Sequence, residues 1–228
     1  TCQDLAESLE QFHATSAATA LATRLAAKIK TATPTLSMLS VRGMMVHSAK
    51  WTPEMIRIGN IKDIIPLCGY GVPDEETALF SNEKYATFIF ENELIPYWEK
   101  DGSNTYNQLH FYDLPWPTEV LEQMGEENVK IRITLSYYVK PSPGYAGRSN
   151  KYRYPSATLH FDLKSASESM EEFLCRRNKS EGEKRTDNDT NRWTIKQQRR
   201  EQGTVQSDWI ECTAAELASC GQIIVYPG

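Results

Sequence analysis

Ser16 is the residue whose setting most directly suggests chemistry. It lies in the small-residue run 14–20 and just before an alanine-rich stretch, residues 21–29, that is typical of a helix. The first N–H groups of a helix have no acceptor within it, and the helix dipole adds partial positive charge there. A hydroxyl nucleophile at this place has donors already aimed at the oxyanion that its reaction produces. The simpler alternative is that Thr15 or Ser16 caps the helix, as these residue types commonly do.

The residues around Ser16 resemble the nucleophile segment of the subtilisin-like serine proteases, the subtilases. That segment usually reads Gly-Thr-Ser-x-Ala-x-Pro and is followed by a long buried helix. Thr15, Ser16 and Ala18 match it, whereas Ala14 stands in place of the glycine and Ala20 in place of the proline. The resemblance implies that Ser16 is the nucleophile of a serine endopeptidase whose substrate is a peptide or protein.

Later stretches extend this resemblance along most of the chain. The turn at 69–73, which reads Gly-Tyr-Gly-Val-Pro, is similar to one that leads into the last part of the subtilase protease domain. Residues 114–117 and the strand at 129–138 resemble a bacterial subgroup of subtilases that carries a C-terminal β-rich domain. Members of that subgroup often look paired with an ATPase partner. Only residues 14–80 relate to the protease core.

A serine nucleophile also needs a histidine base and an acid that orients the histidine. In subtilases the order along the chain is Asp, His, Ser, with an oxyanion-hole asparagine between His and Ser. Fifteen residues precede Ser16, and His13 among them does not match the family's base. The other histidines, His47, His110 and His160, follow the serine in segments predicted to be helix or strand. We therefore expect the C-terminal portion of a protease that is inactive without its upstream part.

Composition and charge exclude several classes of partner and site. The net charge of −5 argues against nucleic acid, and no apolar run approaches the roughly 20 residues of a membrane span. No residues have the spacing expected for a metal or a cofactor. The five cysteines are widely spaced, and free thiols in a reducing cytoplasm are the simplest explanation, although Cys212 and Cys220 could form a disulfide in a secreted protein. We expect a cytoplasmic protein.

The first part of the chain has helical periodicity. A short amphipathic helix is predicted at 3–12, and a longer one at 16–31 with an apolar face that suits burial in a layered α/β domain. A third helix is expected to begin with Thr35 as its N-cap, and Thr52 followed by Pro53 predicts another helix start. Gly69 and Gly71 indicate a tight turn that needs a positive φ.

From about residue 84 the period changes from helix to strand. Apolar and polar residues alternate at 129–140, and shorter alternations at 86–90, 109–111, 159–163 and 223–226 predict further strands. A polar stretch at 179–189 predicts a surface loop. The fold class expected is α+β: residues 1–83 form the helical remnant of a subtilase α/β core, and residues 84–228 form an antiparallel β-sandwich of jelly-roll type.

A second function remains open. The β-sandwich could be a non-catalytic interaction module that recognises a protein partner. In that case Ala14, in place of the family's glycine, marks a decayed site, and Ser16 remains as a helix cap.

Overall fold

A computed structural model describes residues 14–80, 85–100, 103–139, 157–165, 167–178 and 192–227. The predicted helix at 3–12, His13 and the predicted loop at 179–189 lie outside these residues. The chain forms two compact units that divide between Ile89 and Phe90. Helices and antiparallel strands both occur, so the mixed α+β class is confirmed. None of the described helices combines the length and apolar character needed to cross a membrane.

The described part of the first unit is helical. Its helices are α1 (Thr15–Ala32), α2 (Met38–Ser48), α3 (Pro53–Ile56), α4 (Ile61–Cys68) and α5 (Glu75–Leu79). Three of them, α1, α2 and α5, form a small hydrophobic core together with the connection between α1 and α2. Its buried members are Leu25, Ile29, Leu36, Val41, Met44 and Ala78.

The helix α1 agrees with the predicted bounds to within one residue at each end, but it is less buried than expected. Leu25 and Ile29 are its buried residues, and both lie in its C-terminal half. Leu21, one turn earlier on the predicted apolar face, keeps 64% of its surface exposed. In the structure, therefore, only the second half of this helix packs into the core of the first unit.

Two predicted helix starts had different outcomes. The hydroxyl of Thr52 accepts a hydrogen bond from the N–H of Met55 with Pro53 at the first helical position, so this start is confirmed. The prediction that Thr35 caps the next helix is wrong, because Ser37 is the N-cap of α2 and accepts from the N–H of Ser40 at 3.1 Å. The helix starts later because residues 33–36 first form a turn, in which the N–H of Leu36 donates to the Thr33 carbonyl at 3.2 Å. The ammonium of Lys30 also bonds carbonyls of this connection, at Pro34 and Leu36.

The second unit contains all the described strands. They form a two-stranded pair β1–β2, a second pair β4–β6, and a three-stranded sheet in the order β3-β7-β5, all antiparallel. The strands are β1 (Tyr97–Lys100), β2 (Ser103–Tyr106), β3 (His110–Asp113), β4 (Asn128–Ser136), β5 (Leu159–Leu163), β6 (Val205–Thr213) and β7 (Gln222–Pro227). The helices are α6 (Thr118–Met124), α7 (Met170–Asn178), α8 (Gln197–Arg200) and α9 (Ala214–Ser219).

The main core of this unit lies between the β4–β6 pair, the β3-β7-β5 sheet and the helices α6 and α9. Its fully or nearly fully buried members include Phe161, Trp193, Ile210 and Ala214. A separate cluster, in which Phe173 of α7 meets Ile224, covers alternate residues of β7. Since side chains alternate across a strand, β7 is buried on both faces. The jelly-roll arrangement of the strands remains a prediction.

Side chains tie β5 to the neighbouring elements. The N–H of Leu159 donates to the hydroxyl of Tyr137 at 3.2 Å, and Gln206 Nε2 donates to the Leu159 carbonyl at 2.8 Å. Arg200 donates to the Phe161 carbonyl at 2.9 Å. These bonds connect the three-stranded sheet to the β4–β6 pair without any shared strand pairing.

Most of the predicted strands were confirmed. The strand β4 places Ile131 and Ile133 in the core, and β5 and β7 lie where the shorter patterns predicted them. The strand predicted at 86–90 is wrong, because residues 86–90 have no regular secondary structure. β3 forms, but Phe111 is 41% exposed, so its apolar side chain lies on the less buried face of that strand.

Candidate active site

Ser16 is the second residue of α1. Ala14 is the N-cap, with an extended backbone (φ −152°, ψ 148°), and its carbonyl accepts the first helical bond from Ala18 at 3.2 Å. The N–H groups of Thr15, Ser16 and Ala17 therefore precede the first residue whose N–H bonds within the helix. The hydroxyl of Ser16 is exposed beside this set of donors, as the sequence predicted.

Neither candidate cap residue caps the helix. The N-cap position is Ala14, which has no hydroxyl, and no side-chain hydrogen bond caps α1. No hydrogen bond joins the side chain of Ser16 to any residue that the structure describes. The capping interpretation of Thr15 and Ser16 is therefore wrong for this structure, and the Ser16 hydroxyl has no structural task among the described contacts.

The two departures from the family pattern are compatible with the local backbone. An extended φ of −152° is open to any residue, so Ala14 needs no glycine there. Ala20 lies within α1, where a proline would lack the N–H that the helix uses. These alanines leave a regular helix start with Ser16 in its first turn.

The helix α1 is held by charged contacts as well as by its core residues. Glu75, the first residue of α5, pairs with Lys28 and lies 3.7 Å from Arg24. The hydrogen bond from Lys28 holds the pKa of Glu75 below its usual value, and the charge of Arg24 adds to this effect. These contacts attach α5 to α1 about two to three turns beyond Ser16.

The predicted tight turn at Gly69 and Gly71 is confirmed, with φ of 56° and 98°. It packs against the segment that follows α2. Lys50 and Val72 exchange both backbone hydrogen bonds, each at 2.9 Å, and the indole N–H of Trp51 donates to the Gly69 carbonyl at 3.0 Å. The turn therefore joins the end of α4 to the end of α2.

Asp74 also connects the Gly69–Gly71 turn to the segment after α2. Its carboxylate caps α5 by accepting from the N–H of Thr77 at 2.9 Å, and it accepts from the ammonium of Lys50 at 2.7 Å. The bond from Lys50 is the main cause that lowers the pKa of Asp74, followed by the bond from the Thr77 N–H. The family-like turn, the α5 cap and the end of α2 thus form one connected structure.

The described histidines lie in regular elements, as predicted. His47 is in the last turn of α2, His110 begins β3 and His160 is in β5. Of these, His47 belongs to the unit that contains Ser16, and the other two belong to the second unit. His160 Nδ1 lies 3.0 Å from a carboxylate oxygen of Glu201, within the second unit.

That contact belongs to a buried charged cluster that sequence reasoning missed. The carboxylate of Asp208 accepts from the N–H groups of Ile195, Lys196 and Trp209 at 2.8–3.0 Å. Arg200 approaches it at 3.6 Å, and its guanidinium lies over the rings of both Phe161 and Trp193. Burial raises the pKa of Asp208, against the lowering by these N–H donors and Arg200. The available signal was an aspartate in the middle of an otherwise core-forming strand.

The thiols of Cys68, Cys212 and Cys220 are free. α9 lies between Cys212 and Cys220 in the chain, and burial raises the pKa of Cys212. Among the described residues, no group of three His, Cys, Asp or Glu side chains is arranged to hold a metal ion.

Comparison with protein-family models finds a similarity in the first part of the chain. Residues 2–88 match the model of the subtilase family, a span that contains Ser16, α1 and the Gly69–Gly71 turn. Over this span the chain is similar to the subtilases, a family of serine proteases. No curated protein and no solved structure matches the chain.

Proposed function

We propose that this chain is the C-terminal portion of a subtilisin-like serine endopeptidase and that Ser16 is its nucleophile. Residues 1–83 would form the end of the catalytic domain, and residues 84–228 an accessory β-sandwich. A peptide or protein chain would be the substrate. The observation that carries the proposal is the subtilase match over residues 2–88, in which Ser16 stands in the first turn of α1.

Ser16 attacks the carbonyl carbon of the scissile peptide, and its proton passes to a histidine base. The N–H of Ser16 then donates to the oxyanion of the tetrahedral intermediate, where the positive end of the α1 dipole adds stabilisation. The histidine, the aspartate that orients it and an oxyanion-hole asparagine come from the upstream part of the protease domain. The 228 residues alone lack this base and are inactive.

Two features of the site support this assignment over a purely structural serine. Ser16 is exposed and makes no hydrogen bond to the described residues, so its hydroxyl is accessible to a substrate carbonyl. The N–H of Ser16 lies at the helix start, ahead of the first residue whose N–H bonds within α1. A serine kept only as a cap would use its side chain to satisfy these donors.

The proposal is tested by hydrolysis of a casein-type protein substrate by the full-length protein and its Ser16→Ala variant. Loss of about three or more orders of magnitude in kcat is expected, since removal of a triad member leaves only residual catalysis. Thr23→Ala is the matched control, because it deletes one exposed hydroxyl from the same helix, bonded to the carbonyl of Thr19. Turnover retained by Ser16→Ala would reject the assignment.

The second candidate is an interaction module derived from a subtilase, in which the second unit binds a protein partner. Ala14 in place of the family's glycine favours it. This candidate predicts a full-length protein that neither hydrolyses peptides nor loses any function when Ser16 is replaced.

A further inference from the structure

We draw no further inference here: the strongest candidate, the buried side-chain cluster of His160, Arg200, Glu201 and Asp208 beside β5 in the second unit, carries none because the contacts that the described residues show tie it to the core and to β5, and none of them indicates what ligand or partner it would bind.

Discussion

Gly71 lies so close to Lys50 that a Cβ at position 71 would stand 2.3 Å from the Lys50 carbonyl oxygen. The φ of 98° at Gly71 is also one that other residues rarely adopt. Backbone conformation and space therefore both demand glycine here. This close approach lies where the turn after α4 pairs with the segment after α2.

Gly71→Ala should therefore destabilise the first unit strongly. We expect a loss of about 3 kcal/mol or more in the free energy of unfolding, because strain at φ adds to a backbone collision that no side-chain rotation relieves. Gly69→Ala is the matched control: its φ is also positive at 56°, but a Cβ there meets nothing within 4 Å. Its ψ of −135° still lies in a region that favours glycine, so it should cost about 1–3 kcal/mol from backbone strain alone and less than Gly71→Ala.

Urea unfolding of the three proteins measures this difference. Equal losses for the two variants would contradict the close approach of position 71 to Lys50.

The pairing of Asp74 with Lys50 predicts a dependence of stability on pH. The folded pKa of Asp74 lies below its ordinary value of 3.8, so the ionised carboxylate stabilises the fold above that value. This contribution is lost as the pH falls through the folded pKa. Asp74→Asn keeps an N-cap acceptor but cannot ionise, so its free energy of unfolding should fall less steeply with acid.

At neutral pH the difference should be small, of order 0.5 kcal/mol, because the Lys50 side chain is 62% exposed. Urea unfolding from about pH 7 to about pH 2, which continues well below the ordinary pKa of an aspartate, provides the two curves. Lys50→Met removes the partner instead of the carboxylate. Its free energy of unfolding should also fall less steeply as the pH is lowered. Parallel curves for the original protein and both variants would show that the pair does not contribute.

At position 196 glycine should be more favourable than alanine, the reverse of the usual order in a helix. Lys196 has a φ of 72° and a ψ of 151°, which lie in a region that is open almost only to glycine, yet its N–H donates to the buried Asp208 at 3.0 Å. Lys196→Gly relieves the strain, whereas Lys196→Ala removes the side chain but keeps the strained Cβ. The glycine variant should therefore be the more stable of the two by about 1 kcal/mol.

Gln198, an exposed helical residue two positions later, supplies the control pair. There the alanine variant should be the more stable by roughly 0.5–1 kcal/mol, the usual order within a helix. If alanine is also the better residue at position 196, the backbone at Lys196 does not have the conformation described.

The sequence predicted helix starts and buried strand faces well where a short stretch of residues determines them. Thr52 with Pro53 specifies a helix start from neighbouring atoms alone, and the long alternation of β4 specifies its buried face. The start of α2 was misplaced because residues 33–36 first form a turn, whose carbonyls also bond Lys30 of the preceding helix. Residues 86–90 alternate over too few positions to decide between a strand and an irregular segment.

The candidate site was predictable only where neighbouring residues in the sequence determine the structure. The place of Ser16 in the first turn of α1 follows from the local sequence and was predicted. The cluster around Asp208 was not, because its partners come from separate segments: Arg200 ends a short helix, and Phe161 and Trp193, whose rings contact its guanidinium, lie far from each other in the chain. Burial of a charge depends on such long-range packing, which composition and spacing do not show.

The reactivity of Ser16 towards a fluorophosphonate tests the central claim most directly, because this reagent labels only a serine that is activated as a nucleophile. In the full-length protein we expect one adduct, located on Ser16 by the mass of its peptide, retained in Thr23→Ala and lost in Ser16→Ala. The proposal, in which the base comes from upstream residues, predicts that the 228-residue chain alone stays unlabelled. A folded full-length protein that forms no adduct at Ser16 would contradict the proposed protease.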